Sequence, residues 1–476
     1  MKKQLIIFVL LVALTGGLLT ALIVIRKQPV PEGAATAQPA TENVEIFRFD
    51  APVTEVRFDP AGAGTPFTLK RLPDDGSGDS PGAVLAGRED LPINAGRAGN
   101  MLAAELSLEA ARLVYQDHDD YALFGLTDPQ AAVTMTDAGG LSKTLLIGDL
   151  APDGGNHYVR IMDEPAVYLV PVFRLYYYLL PETGYVSPEV VAETVQDLLQ
   201  ARQIRLGGSV REGFGDVRIT PILGTEAGVG DIHSHMLRSP VAHPMDYRYG
   251  IEALASIYSM SAYSVTVICP DAGQLAEYGL DKPYSTVEVT GPGSGDRMSL
   301  VVGEPDEYGL VYLMREGVPL IYRGAADEMP WLTMQFFDFM DKDVYSLDFA
   351  DIDEIVVRVE GETYAFTLDH TDPFRLDAYV DGVLMNRNRF ANLCDTLRNA
   401  SYEEYTQDQP PEGAAPHLQV TYRFLSGAED KSIAFYPGAS RKYFIETGAF
   451  DRHFYTTSFY VDKLKDDAVA AARPAE

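Results

Sequence analysis

Phe124-Gly125-Leu126-Thr127-Asp128-Pro129 and Tyr278-Gly279-Leu280-Asp281-Lys282-Pro283 are two copies of one stretch, and their reading decides the fold. The offset is 154 at the glycine (125 to 279), at the proline (129 to 283) and at a tyrosine further on (168 to 322). Between these points it is 155 at a second glycine (148 to 303), a slip of one residue. An offset held from residue 121 to residue 168 marks a duplication and not a coincidence of composition.

The motif has a mechanical reading. Glycine supplies positive φ at a tight corner. The leucine after it pins that corner into a core, and the proline starts an extended segment. Alternation follows, with Val133 and Met135 set against Ala132, Thr134 and Thr136, and Val287 and Val289 against Glu288. Period two predicts a half-buried strand. A glycine-rich turn comes next in each copy, at 137–140 and 291–295, and a second strand then runs to Gly148 or Gly303. Two short strands carrying tyrosines complete an antiparallel meander. The structural motif residues are therefore Gly125, Leu126, Pro129 and Gly148, with Gly279, Leu280, Pro283 and Gly303.

This pattern, tyrosine-glycine-leucine-x-x-proline, then an apolar strand ending in glycine, then tyrosine-x-arginine, resembles a bacterial membrane-anchored family known only as a domain of unknown function. The resemblance covers most of the chain after Val44. It implies one N-terminal transmembrane helix followed by repeats of this unit. It also implies a setting, because some members are encoded beside gliding-motility-type ABC transporter subunits. No catalytic residue carries over. The second copy has Met314 where the first has Arg160, so that arginine is given no shared role.

At the N-terminus, Lys2-Lys3 precedes an uncharged apolar run at 5–25, and Arg26-Lys27 closes it. Twenty-one residues at helical rise span about 31 Å, the thickness of a bilayer's hydrocarbon core. The run is too long for a cleaved signal peptide, so residues 1–27 read as an uncleaved signal anchor. The expected location is the cell membrane, single-pass, with a C-terminal ectodomain outside the cytoplasm. Gly16, Gly17, Thr20 and Ala21 give small-xxx-small spacing, which can pack on another span. Residues 28–43 read as a flexible stalk.

The opening Val53-Thr54-Glu55-Val56-Arg57-Phe58 recurs as Ile352-Asp353-Glu354-Ile355-Val356-Val357, which starts a third, divergent unit without a glycine-leucine corner. The organisation expected is α+β, an N-terminal transmembrane helix and then three tandem repeats at 44–183, 184–343 and 344–465, each a mostly antiparallel sheet with one helix. Those helices are placed near 101–114, 247–260 and 389–399. Residues 466–476 read as a loose tail. Neighbouring units are expected to pack together, since one such unit buries little core.

The net charge of −31, from 38 basic and 69 acidic residues, excludes a nucleic-acid binder. Cys269 and Cys394 are the only cysteines, and both read as buried thiols among apolar neighbours. Asp231, His233, His235, His243 and Asp246 form the most site-like cluster, and His-x-His can hold a metal from one strand face. Against this, His235 lies where the third unit has Phe374, an aromatic packing position. The aromatics Tyr176, Tyr177, Tyr178, Trp331, Phe336, Phe337, Phe339, Phe459 and Tyr460 follow each meander; they suit either a binding surface or a core, and recurrence favours the core. Asp149 and Glu304, near Asp153 and Asp306, sit where turn residues are ordinary, as do Asp74, Asp75 and Asp79. No catalytic motif is present.

The expectation is a non-catalytic, membrane-anchored extracytoplasmic repeat protein, not an enzyme and without a cofactor. It works through protein contacts as an accessory to an ABC-type transporter or another envelope complex. The alternatives are an envelope module binding glycan or peptide and, third, a metal-dependent hydrolase built on His233, His235 and His243.

Overall fold

A computed structural model describes residues 43–62, 64–73, 82–117, 120–198, 200–222, 233–293, 295–372, 375–410, 412–450 and 453–474. The expected membrane span at 5–25, nearly all of the stalk, Asp74, Asp75, Asp79, Asp231 and Phe374 lie outside the described residues. No helix among the described residues is long and apolar enough to cross a membrane.

The strands form mostly antiparallel sheets, and three of them repeat one path. In the first, Val53–Pro60, Phe67–Arg71 and Ala83–Leu85 make an opening ladder. The meander Ala131–Asp137, Ser142–Leu150, Asn156–Ile161 and Val167–Pro171 then pairs its first strand with the first opening strand. Arg112–Tyr115 pairs with the last meander strand and forms the far edge. The second sheet follows the same course. It opens with Gln203–Gly207, Val217–Pro221, His235–Ser239 and His243–Pro244; its meander is Ser285–Thr290, Arg297–Val302, Leu310–Arg315 and Leu320–Ala325; its edge strand is Ser264–Ile268. The third opens with Ile352–Val359, Glu362–Asp372, Arg375–Val380 and Val383–Leu384, continues through Leu418–Phe424, Lys431–Pro437, Lys442–Glu446 and His453–Thr457, and ends on Glu404–Thr406. A further two-stranded sheet joins Val44–Arg48 to Ser107–Ala110.

Contacts divide the chain into two compact units, Met1–Glu89 with Ala95–Pro181, and Asp90–Asn94 with Glu182–Glu476. The first sheet lies in one unit, and the second and third share the other. What joins those two is an aromatic seam. Phe336 meets Tyr405 edge-on at 5.0 Å, and Phe337 stacks on Phe454 at 5.7 Å. Trp331, Phe336 and Phe339 are fully buried beside it, and Met245 bridges to Met340.

The corner motif acts as its residue types dictate. Gly125 and Gly279 have φ of +63° and +68°. Leu126 and Leu280 are buried, and Leu126 packs with Phe124, Leu146 and Val167. Strands begin two residues after each proline, at Ala131 and Ser285. Gly148 and Gly303 are needed for a reason the spacing did not reveal. A Cβ there would meet the carbonyl oxygen of Phe124 at 2.2 Å and of Tyr278 at 2.6 Å, the residue just before each corner glycine. The same two aromatics face the tyrosines of the third meander strand, Phe124 on Tyr158 at 4.9 Å and Tyr278 on Tyr312 at 4.4 Å.

Several expectations are corrected. The helix near 101–114 is instead Ala95–Met101, followed by two strands. Leu106, Leu108 and Ala110 are buried while Ser107 and Glu109 are not, so period two overrides a helix-favouring composition. The second helix is shorter than expected, Tyr249–Ala255, with Ile257 and Tyr258 buried in the turn beyond it. The third, Arg387–Arg398, buries Phe390, Leu393 and Leu397 as its spacing predicts. The tail is no loose end up to Ala471. Ser458–Ala471 is a helix burying Val461, Leu464, Ala468 and Ala471, since alanine favours helix and permits close packing. It is fastened at buried Thr396, whose hydroxyl donates to Asp467 Oδ2 at 2.6 Å and accepts from Lys463 Nζ at 2.6 Å. Cys269 is exposed at φ +52°, where a turn ends its strand; only Cys394 is a buried thiol, pushed up to about 12 by burial.

The two corner glycines separate two costs. Gly279→Ala meets only Gly303 Cα at 3.9 Å, so about 1–2 kcal/mol is expected from the left-handed backbone alone. Gly125→Ala also meets Asp149 Cγ at 2.4 Å, and about 3 kcal/mol is expected. Urea midpoints of the two variants check the difference; equal losses would show that Asp149 does not restrict the corner.

Candidate functional site

Among the described residues, the members of the histidine cluster take separate roles. His233 bonds through Nε2 to Asp341 Oδ2. His235 and His243 are both buried. The ring Nδ1 of His235 is held by Ser234 Oγ at 2.9 Å, and its Nε2 has no hydrogen-bond partner among the described residues. His243 stands edge-on to Tyr402 at 5.9 Å and Phe450 at 5.5 Å, as an aromatic of the seam. Asp246 accepts from the backbone N–H groups of Arg248 and Tyr249 at 2.9 and 2.6 Å, a turn role. Among the described residues no three His, Cys, Asp or Glu side chains are grouped as metal ligands. The neighbouring Lys342 lies 3.4 Å from the Phe337 ring centroid, and burial lowers its pKa to about 8.

Asp149, Asp153 and Asp306 are likewise structural. Asp149 fills the space beside Gly125. Asp153 accepts from Gly155 N and Asn156 Nδ2, both at 2.9 Å, and Asp306 from Tyr308 N and Leu310 N at 2.9 and 2.8 Å. These are turn caps, for which short acidic side chains suit the backbone donors.

The aromatics divide. Tyr178, Trp331, Phe336 and Phe339 are core, and Tyr460 donates its hydroxyl to Thr396 O at 3.2 Å. Phe459 and Tyr176 are exposed. Phe173, 74% exposed, lines a groove of about 440 Å³ in the first unit together with Tyr177 and Tyr178. Met101, Leu106 and Leu108 form its apolar side, and Arg174 is fixed by donating to Glu109 O at 2.8 Å.

A second concavity, of about 380 Å³, lies in the second unit, lined by Gly291, Pro292 and Gly295 on one side and by Glu193, Asp197 and Ala201 on the other. Tyr258 lines it, although the residue is only 5% exposed, and among the described residues its hydroxyl has no hydrogen-bond partner. Burial, with Asp197 and Glu193 nearby, pushes that phenol up to about 12, so it stays neutral. Burial opposes ionisation of Glu193, but its fork with Arg315, at 2.5 and 3.0 Å, wins and holds its pKa below the ordinary carboxylate value. Asp197 Oδ2 accepts from Thr194 N at 2.8 Å and Thr194 Oγ1 at 3.1 Å.

Sequence reasoning missed Tyr258 and Arg211. Arg211 is 2% exposed, and burial lowers its pKa to about 10. It donates to Gly207 O and Ser285 Oγ at 2.9 Å, to Trp331 O at 2.5 Å and to Met334 O at 2.8 Å. No local pattern announces partners more than a hundred residues away.

The seam carries a pH signature. Burial lowers the pKa of His243 from 6.5 to about 4, against the pull of Asp341. Between those values the unfolded chain binds the extra proton, so this stabilisation is present above pH 6.5 and is lost as pH falls towards 4. The loss attributable to this ring is on the order of 3 kcal/mol. Denaturant midpoints compared between pH 7 and pH 4 should fall less for His243→Phe than for the natural chain; parallel losses would remove His243 from the account.

Residues 84–203 and 244–418 match the family described as a domain of unknown function (DUF4340). The first matched segment holds the Gly125 corner and the second the Gly279 corner. No curated protein and no solved structure matches the chain. The matched segments take in more than half of the 476 residues, and the chain belongs to the DUF4340 family.

Proposed function

We propose that this protein is a non-catalytic, membrane-anchored extracytoplasmic component of a bacterial envelope, acting through protein contacts as an accessory to an ABC-type transporter. The observation that supports it best is the groove of the first unit, where Phe173 stands exposed beside an apolar wall, with exposed Tyr176 three residues further along the chain. Large exposed aromatics at a concave edge are the usual anchors of a protein interface. The anchor at 5–25 would hold the ectodomain beside its partner at the membrane, and the acidic surface would favour a partner with basic patches. A second reading, an envelope ligand-binding module, is favoured by the concavity at Tyr258.

Crosslinked co-purification of tagged full-length protein from its native membranes tests the first reading. Transporter subunits in stoichiometric yield are expected, with a loss of at least tenfold for Phe173→Ala combined with Tyr176→Ala at unchanged melting temperature. Recovery of the protein alone, or partner yield indifferent to the two substitutions, would count against it.

A further inference from the structure

We infer that the open edge of the strand Ser107–Ala110, in the groove of the first unit, takes up an extended peptide segment carrying a lysine or arginine, which adds to it as a further strand. This rests on the protein-contact reading and names the form of the partner.

The direction of the backbone groups follows from one hydrogen bond. Phe49 N–H donates to Leu106 O at 2.9 Å. In an antiparallel ladder, pairs that exchange such bonds alternate with pairs that do not. The next pair, Arg48 with Ser107, is of the second kind, so Ser107 turns its N–H and C=O away from Val44–Arg48. Glu109, two residues on, has the same orientation. Its carbonyl shows which way that is. It accepts from Arg174 Nη1 at 2.8 Å, and Arg174, Ser107 and Glu109 all line the groove. On that edge Ser107 N–H, Ser107 O and Glu109 N–H have no strand to pair with among the described residues.

The slot is an interrupted ladder. Just beyond it, Ala111 N–H donates to Leu169 O at 2.8 Å and Arg112 pairs with Leu169, so Val167–Pro171 occupies the same edge there. Continued in register, that strand would run alongside Ser107–Ala110. Instead it ends at Pro171, and the chain turns into the short helix Val172–Leu175, which sets Phe173 and Arg174 into the groove lining. The equivalent stretches of the other copies are held by single bridges, Glu189 with Ser261 and Asp343 with Ser401, where this one forms a strand.

The occupant follows from what the edge presents. A row of backbone donors and acceptors is matched by another extended backbone, which supplies both at strand spacing. Around the slot Arg174 is paired with Glu109 at 3.5 Å and Arg48 with Glu45 at 2.8 Å. That leaves the carboxylate of Glu105, also in the groove, without an ion pair among the described residues, and it favours a basic side chain on the segment. A second copy of this chain is disfavoured, because two molecules of net charge −31 repel.

Fluorescence anisotropy on the full-length protein in detergent tests this with a labelled peptide, acetyl-Lys-Val-Thr-Val-Lys-amide. Saturable binding is expected, at least tenfold tighter than for the same peptide N-methylated at every backbone nitrogen, which keeps the side chains and removes the donors. Ser107→Pro removes only an outward N–H, which an edge strand tolerates. It should weaken the peptide at least tenfold at unchanged melting temperature, while Ser107→Ala should leave the affinity as it is. Equal binding of the two peptides would overturn strand addition. So would an affinity unchanged in Ser107→Pro, which places binding elsewhere, or the absence of saturable binding. None of these results touches the protein-contact reading if transporter subunits still co-purify with the full-length protein; recovery of the protein alone would count against that reading whatever the peptide does.

Discussion

Each copy of the repeat is closed by one antiparallel strand pair, and the rest of its sheet hangs from that pair. Val56 faces Met135, Leu206 faces Val287, and Val357 faces Val420. These partners are 79, 81 and 63 residues apart in the chain. The opening ladder and the meander on either side form largely from neighbouring hairpins, which cost little loop entropy. The closing pair brings together two pieces that are distant in sequence, so it bears the entropic cost of the unit. Its inward side chains, among them Val56, Val133, Leu206, Val287, Val357 and Val420, are all fully buried, which offsets that cost.

With the frame fixed three times over, the sites arise where one copy departs from the others. The second copy inserts the turn Ser209–Arg211 after its first strand, and the buried guanidinium there ties that turn to Trp331 and Met334. It also adds the helix Ala272–Glu277, capped by Asp271 and Gln274, ahead of its corner. The concavity at Tyr258 belongs to this copy as well. The third copy loses the corner and gains Ser458–Ala471, which covers Arg387–Arg398. The first keeps its exposed aromatics at Phe173 and Tyr176. A common scaffold therefore carries different surfaces.

How much of this was legible in the sequence follows from the range of each interaction. The corner at Gly125 and Gly279 and its leucines were readable, because backbone sign and burial are set within six residues. The meanders were readable from period two. The helix near 101–114 misled because alanine, leucine and glutamate suggest helix while Leu106, Leu108 and Ala110 alternate as a strand. Cys269 misled because an apolar run ahead of it hid the turn at its own position. The role of Gly148 and Gly303 depends on carbonyls 24 and 25 residues earlier, and Arg211 on carbonyls more than a hundred residues later. His233, His235 and His243 were ligand candidates by spacing alone, and spacing says nothing of what lies opposite; Tyr402 and Phe450 lie opposite His243.

The central claim is that each sheet is one cooperative body closed by its long-range pair. Native-state hydrogen exchange on the full-length protein, resolved to single strands, tests it most directly. The account predicts that the slowest amides in every copy lie in the closing strands, Val53–Pro60 with Ala131–Asp137, Gln203–Gly207 with Ser285–Thr290, and Ile352–Val359 with Leu418–Phe424. Meander hairpins that stay protected after those strands have exchanged would contradict it.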